Sequence, residues 1–480
     1  MTRPSLTRGR VRTGAAGLLA TSLLAAGCTA SSAAASTVTV DVGYQSKTIN
    51  TINAGTLLRD RGTFEAKLAA LGKTTGTTYS VHWLDFPSGP PLTAQMLADK
   101  VDIGSMGDYP TLVNGSKTAQ YADSKSELIG ITGYNLRGSL NQIVVPPDSP
   151  AHTLADLRGQ VISTSIGSAA HGMIANAVGH VGMSLSDVRL LNQEPSVGAS
   201  ALMNHQVAAL GQFVPWPQLM VFRKQGRLLY DGGTNNVATF HAVLARQSYA
   251  KAHPEVMQAF LESVKDTSDY INAQPLAAAQ RVATITGIEP EVVYLYNGPN
   301  GLVTFDPTIK QPLTDAMATD LPFLKDLGSV TNLDLGQFVN DQYVRAAYGA
   351  GYDTTRASLT DPDTLHGTDT ACNLPVDNPR TASEVWFAGQ DVTSLAASPT
   401  CALQQIATHT GAVRAAYVPD TVTGTRLFAD AAVWVLDPTA EPASRLLPFA
   451  LDTDAAGYVI SHPQARQMDY PSALARFAAA

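Results

Sequence analysis

Cysteine is scarce in this chain: there are three in 480 residues, at positions 28, 372 and 401. So few, so far apart, exclude a disulfide-dense scaffold, and no C-x-x-C pair is present to hold zinc or run thiol exchange. Charge is thin as well. Only 15% of residues are charged, the formal net charge is −8, and no Lys/Arg run lies beyond the first dozen residues. A nucleic-acid partner needs a concentrated basic face and is excluded on that count. No apolar run is long enough to span a bilayer, and there is no G-x-S-x-G elbow, phosphate-binding P-loop or H-E-x-x-H. What is there is a globular chain long enough for two or three domains.

The N-terminus has the anatomy of an export signal. Arg3, Arg8, Arg10 and Arg12 precede the short apolar run Ala15–Ala26, and Gly27-Cys28 follows. Leu24-Ala25-Ala26-Gly27-Cys28 resembles a bacterial lipobox, although Leu24 lies four rather than three positions before the cysteine. Residues 1–28 are thus read as a lipoprotein signal ending at a lipidated Cys28, and 29–37 as a flexible tether. Two acyl chains would anchor the mature protein firmly, at about 0.8 kcal/mol per buried CH₂.

From Thr37 to about Tyr230 short strands alternate with amphipathic helices, which predicts a mostly parallel sheet with helices on both faces. Ser248 to about Tyr348 reads as nearly all helical. The most telling stretch is Val81–Pro110. Strand Val81–Phe86 runs into Ser88-Gly89-Pro90-Pro91, and strand Val101–Gly104 into Gly107-Asp108-Tyr109-Pro110. Ser or Asp beside Pro is a helix-start signature. Each start leaves backbone N–H groups unpaired at the positive end of a helix dipole, which suits a small anionic solute. Gly167-Ser168 with His171 makes a third such turn. The same residues also serve plain turn geometry and capping, and both readings stand open here. Gln45 follows a strand and can donate an amide N–H or be a solvated turn residue. Trp83 and Trp216 can wall a pocket or pack a core.

Several of these segments together resemble a known family. Val42-Gly43-Tyr44-Gln45, Trp83-x-x-Phe86-x-Ser88-Gly89-Pro90-Pro91 and Val101-Asp102-Ile103-Gly104-x-x-Gly107-Asp108-x-Pro110 are similar to the solute-binding proteins of nitrate, aliphatic sulfonate and taurine ABC importers. Thr153–Gly159, Gly167-Ser168-x-x-His171 and the stretch His253–Gly287 extend the likeness over roughly 38–348. The resemblance implies an α/β, bilobal type II periplasmic-binding-protein fold over 38–352. Lobe one would take about 38–135 and 240–352, and lobe two about 136–239, with a two-strand hinge between them. It also implies a cleft lined by Gln45, Ser88, Gly89, Asp108, Ser168 and His171, to which the turn at Gly107 and Trp216 as an apolar wall are added as candidates from the residues themselves. The partners would be a small anionic solute and the importer's permease and ATPase. The protein would be a monomer outside the cytoplasmic membrane, bound to it through its lipid, with no catalytic residues and no required cofactor. The family often has Trp/Leu-Asp-Pro after a lobe-two strand, where this chain reads Phe213-Val214-Pro215-Trp216-Pro217, so recognition of an amine loses its acid. No cleft lysine or arginine is assignable, which leaves the anion to N–H groups and dipoles. The pyrimidine-precursor enzymes that share the fold rely on a cysteine cluster this chain lacks.

Composition shifts to Asp, Thr, Ser and Pro over 353–370, a linker signature. Beyond it, 371–480 resembles the NosL-type copper chaperones through Cys372-Asn373-Leu374-Pro375, Thr400-Cys401-Ala402-Leu403 and Ala429-x-x-Ala432-x-Trp434-Val435, as a small α+β domain. Where those proteins carry Cys-Gly-Met this chain has Cys-Asn-Leu, so a Cu(I) site would need Cys372 with Met468, or His462, as replacement ligand. The alternative is a Cys372–Cys401 disulfide, which would contribute about 3–4 kcal/mol in an oxidising compartment.

Overall fold

The computed structural model describes residues 37–477. Cys28, with the signal and almost all of the tether, lies outside the described residues.

Two five-stranded sheets form the larger part of the molecule. Strands β1 (Thr37–Tyr44), β2 (Thr78–Asp85), β3 (Ile103–Gly107) and β4 (Ser126–Asn135) belong to the first. Strands β5 (Asn141–Val145), β6 (Val161–Thr164), β7 (Arg189–Asn192), β8 (Ala209–Phe213) and β9 (Arg227–Asp231) make the second. Strand β10 (Thr239–Arg246) returns to the first sheet, giving the orders β2-β1-β3-β10-β4 and β7-β6-β8-β5-β9. In each sheet the strand that arrives from the other lobe, β10 or β5, runs antiparallel to both its neighbours. The chain therefore crosses between lobes twice, over 136–140 and 232–238. The inner strands are buried on both faces: β3, β5 and β8 are buried at every position, and β10 at all but its last, whereas edge strands β2 and β7 are exposed or half-buried. That continuous burial hides the alternation by which an exposed strand is recognised. It explains why β10 escapes a reading by periodicity.

Helices follow β10, among them Pro254–Ala273, Pro275–Thr286 and Pro290–Asn297. The stretch from 353 to 370 is held against the lobes rather than free. The wholly buried Lys310 donates to the carbonyls of Thr355 and Ser358 at 2.7 Å each and pairs with Asp306, also at 2.7 Å.

The C-terminal domain is α+β. It begins with the hairpin β11 (Gly367–Asp369) and β12 (Leu374–Val376). Strands β13 (Ser383–Phe387), β14 (Ser394–Ala396), β15 (Val413–Pro419) and β16 (Arg426–Phe428) form a sheet in the order β14-β13-β15-β16. Strands β17 (Val433–Leu436), β18 (Leu446–Phe449) and β19 (Arg466–Met468) form another in the order β18-β17-β19. Helix Pro399–Thr408 packs on them, and a disulfide joins Cys372 to Cys401 in its first turn. Asp369 Oδ1 accepts from the N–H groups of Ala371 and Cys372 and from Gln405, and its Oδ2 accepts from Ala397 N. Of the two expectations for Cys372, metal ligand or disulfide, the disulfide is the arrangement present here, and one ligand atom each of Asp369, Cys372 and Cys401 lie within 4.8 Å of one another. Met468 sits opposite Trp434 on β17, packed on the core that holds Cys401. The His462 ring stacks on Tyr458.

The domain docks on the lobes through a junction with an aromatic centre. Trp386, Tyr417 and Phe428 join one apolar cluster with Leu219 and Val221 of lobe two and Tyr294 and Tyr296 of helix Pro290–Asn297. Arg426, fully enclosed there, pairs with Glu384 and donates to the carbonyl of Pro299. Tyr294 Oη donates to Glu384 at 2.9 Å, and Tyr417 Oη to the carbonyl of Glu291 at 3.0 Å. Ser139, in the crossover 136–140, lies 3.0 Å from Thr425 across the junction, oxygen to oxygen. The C-terminal domain thus also touches one of the two crossovers between the lobes.

Candidate functional site: the cleft between the lobes

Three helices start at the C-terminal ends of strands and point their N-termini at the same space: Gly89–Leu97, Asp108–Thr118 and Ala169–His180. Their closeness can be measured on the glycines. A Cβ on Gly107 would lie 3.3 Å from Ala169 Cβ, and one on Gly167 3.4 Å from Pro90 Cγ, in each case across the two lobes. The residue before two of these helices is a serine, Ser88 or Ser168, each 2% exposed. Neither hydroxyl caps its helix. Ser168 Oγ is buried without any hydrogen-bond partner among the described residues. A buried hydroxyl left unpaired costs about 1–3 kcal/mol, so a fold that keeps one open on a cleft holds a donor in reserve. The N–H groups of Ala169 and Ala170 are likewise unpaired.

Gln45 donates its amide to the carbonyl of Ser105 at 3.2 Å and is buried at the end of β1. His171 is half-buried, and burial pushes its pKa down. Its Nδ1 accepts from Gly167 N at 3.3 Å, which places the proton of the neutral ring on Nε2 as a donor. Gly89 lies against Pro110, 2.5 Å from a would-be Cβ, so it is a packing glycine between two helix starts. Trp216 stands at the mouth of the cleft in a cavity of about 250 Å³ with Phe86, Pro87, Pro195, Asp85, Ser196 and Ser46–Thr48. Lys47 is in that lining, a cation at the mouth that the sequence reading did not assign. Trp83 lies elsewhere, donating to Glu65 at 2.7 Å and packing edge-on to Tyr44 and Phe64.

Asp108 has a different setting from its sequence neighbours. Its Oδ2 accepts from Thr239 at 2.6 Å and Phe240 N at 3.4 Å, and its Oδ1 from Tyr109 N at 2.8 Å. The carboxylate ties the helix start to β10 and lines a separate small cavity. Tyr109 closes the cleft's inner side. Its ring sits against bare helix backbone, where a Cβ on Gly172 would meet it at 2.1–2.6 Å. Its Oη donates to Asp320 and accepts from Asn176 of lobe two, at 3.1 Å each.

Sequence reading missed His241, Asn50 and Gln212. His241 Nδ1 lies 2.8 Å from Asn50 Nδ2, and burial holds its pKa at about 3, so it stays neutral. Gln212 donates to Ser165 at 3.1 Å and keeps a buried Oε1 without a partner. These side chains come from β10, the Ile49–Ala54 turn and β8, none of which carries a glycine–serine turn signal. The arrangement is a set of fixed, neutral, polar groups between two lobes. It can hold a compact anion by directed donors and offers an apolar wall beside them.

Residues 112–278 match the NMT1/THI5 like family model. Over 217 residues the chain is 24% identical to the putative aliphatic sulfonates-binding protein of Escherichia coli (strain K12), covering 45% of this chain and 65% of that protein. The chain thus spans just under two thirds of that relative's length. It is 25% identical over 288 residues to the taurine-binding periplasmic protein of the same organism, covering 57% of this chain and 86% of the relative. The solved alkanesulfonate-binding protein SsuA from Xanthomonas axonopodis pv. citri, bound to MOPS, superposes with a TM-score of 0.54 at 21% identity. It covers 64% of this chain and 100% of that one. The periplasmic aliphatic sulphonate binding protein SsuA from Escherichia coli gives 0.50 at 20% identity, over 65% and 99% of the two chains. At these identities the likeness is one of fold: the structural neighbours are periplasmic binding proteins.

Proposed function

We propose that this protein is the solute-capturing component of an ABC importer, exported and held outside the cytoplasmic membrane by a lipid on Cys28. It closes its lobes on a small sulfonate or related oxyanion and delivers it to a membrane permease, without catalysing a reaction. One observation carries the reading: two helix-start serines, buried in the cleft, whose hydroxyls cap nothing, with Ser168 Oγ unpartnered. The relatives named for sulfonates and taurine support the solute class. The wall of Trp216, Phe86, Pro87 and Pro195 supports an organic sulfonate over nitrate, because it gives an alkyl tail apolar surface to cover. A micromolar Kd, about −8 kcal/mol, is within reach of several charge-assisted N–H and O–H contacts after the cost of closure. For the C-terminal domain we propose a NosL-like origin with an oxidised, disulfide-stapled core in place of a copper site.

Thermal unfolding of the mature protein against alkanesulfonates, taurine and nitrate tests the reading. A ligand at 100-fold its Kd stabilises by about 2.7 kcal/mol, and a rise with an alkanesulfonate that exceeds the rise with nitrate is the expected result. No rise with any of these anions would overturn it.

A further inference from the structure

On the hinge side of the cleft lies a second, smaller cavity of about 30 Å³, walled by Asp108 and Asp320 of lobe one, Asn141 and Gly232 of the hinge strands and Asn176 of lobe two. A space of that size holds one or two water-sized particles. Both carboxylates are almost wholly buried, 2% and 4% exposed. No lysine, arginine or histidine among the described residues pairs with either. Asp320 receives a single hydrogen bond, from Tyr109. Asn141, itself 4% exposed, donates through Nδ2 to Thr239 at 3.0 Å and leaves Oδ1 buried with no partner. Backbone oxygens add to the crowd. A Cβ on Gly232 would lie 2.6 Å from the carbonyl oxygens of both Asn141 and Gly138. Buried carboxylates are normally paired, metal-bound or protonated, since an isolated buried charge costs several kcal/mol. This cavity offers two carboxylates, an amide oxygen and nearby carbonyls, and no sulfur or imidazole. Oxygen donors of this kind select hard cations over soft ones.

We propose that this cavity binds a small hard cation, of the alkali or alkaline-earth class, held by Asp108, Asp320 and Asn141 Oδ1. Its ligands come from lobe one and from the strand that opens lobe two. Occupancy therefore favours the closed arrangement of the lobes, whichever solute the cleft takes.

The test uses the mature full-length protein, dialysed against a chelator and held at constant ionic strength with choline chloride, a cation too large for the cavity. NaCl, KCl, MgCl₂ and CaCl₂ are exchanged in, and Tm is read. The expected result is a saturable rise with at least one of the four. Asp320→Asn should need about tenfold or more of that cation, because half the site's charge is gone, and Asn141→Asp should need less than wild type. No saturable rise with any of the four overturns the proposal, which means the carboxyls are neutralised by protons alone. A rise of the same midpoint in Asp320→Asn and Asn141→Asp also overturns it, because the cation then acts elsewhere. Should Asp320→Asn fail to fold, the Asn141→Asp midpoint decides by itself.

Discussion

Two junctions hold this molecule together, and they are built from opposite materials. Between lobes and C-terminal domain the contact is built on aromatic rings and ion pairs: Arg426 meets Glu384 and Pro299 O, Tyr294 meets Glu384, and Arg414 meets Glu291 across the junction. Between the two lobes the contact is polar, and Ser168 Oγ, Gln212 Oε1 and Asn141 Oδ1 are left without partners. Low-dielectric aromatic packing makes separation expensive, whereas unpaired polar groups at a cleft lower the cost of opening to water. Under the proposed capture function, one junction is fitted to stay shut and the other to open. Ser139, in the crossover 136–140, meets Thr425 of the C-terminal domain at the first of them.

The comparison is broken most severely at Arg426. Arg426→Ala should cost about 3–5 kcal/mol in urea unfolding, because Glu384 is left buried and unpaired. Replacing both residues with methionine should recover most of that loss. If Arg426→Ala is neutral, the junction is not fixed. At the other junction Ser168→Ala should leave unliganded stability within about 0.5 kcal/mol and weaken anion binding by about 1.5–3 kcal/mol, the worth of a hydrogen bond to a charged group. Equal affinity in calorimetric titration would remove Ser168 from the site. Gly172→Ala places a methyl in the Tyr109 ring and should hinder closure by about 1–3 kcal/mol, read as weaker binding with an unliganded Tm no lower than wild type.

The smallest expected effect is with pH. Burial, reinforced by the Asp108 charge, pushes the Asp320 pKa up to about 8. An acid whose folded pKa is raised binds its proton more tightly in the native state. Its contribution is therefore fully present below the ordinary carboxylate range and is lost as pH rises toward about 8. In chelated buffer the wild type should lose stability over that window, and Asp320→Asn should show a flatter profile. Parallel profiles would mean that the Asp320 pKa is not raised.

The sequence made much of this legible and left part of it hidden. Strands Val81–Phe86, Val161–Ser165 and Ser383–Phe387 are readable because short apolar runs end in turn residues, and β2, β6 and β13 lie there. The three helix starts are readable for the same reason: Gly, Ser and Pro punctuate a chain before its structure is known. What was hidden depends on long-range contact. Asp320 faces Asp108 from 212 positions away in a helix whose pattern reads as an ordinary amphipathic face, and nothing local marks it. Lys47 is exposed, and only the approach of the two lobes puts it in one cavity wall with Trp216. The 353–370 stretch has a linker's composition, yet Lys310 pins it through backbone carbonyls that no side-chain pattern advertises.

Hydrogen exchange of the mature protein, with and without a saturating alkanesulfonate, tests the central claim most directly, because it reads both junctions at once. The account predicts added protection at the first turns of helices Gly89–Leu97, Asp108–Thr118 and Ala169–His180, with no change across β13, β15 and helix Pro290–Asn297. Unchanged exchange at those three helix starts, or ligand-dependent exchange confined to the C-terminal junction, would contradict it.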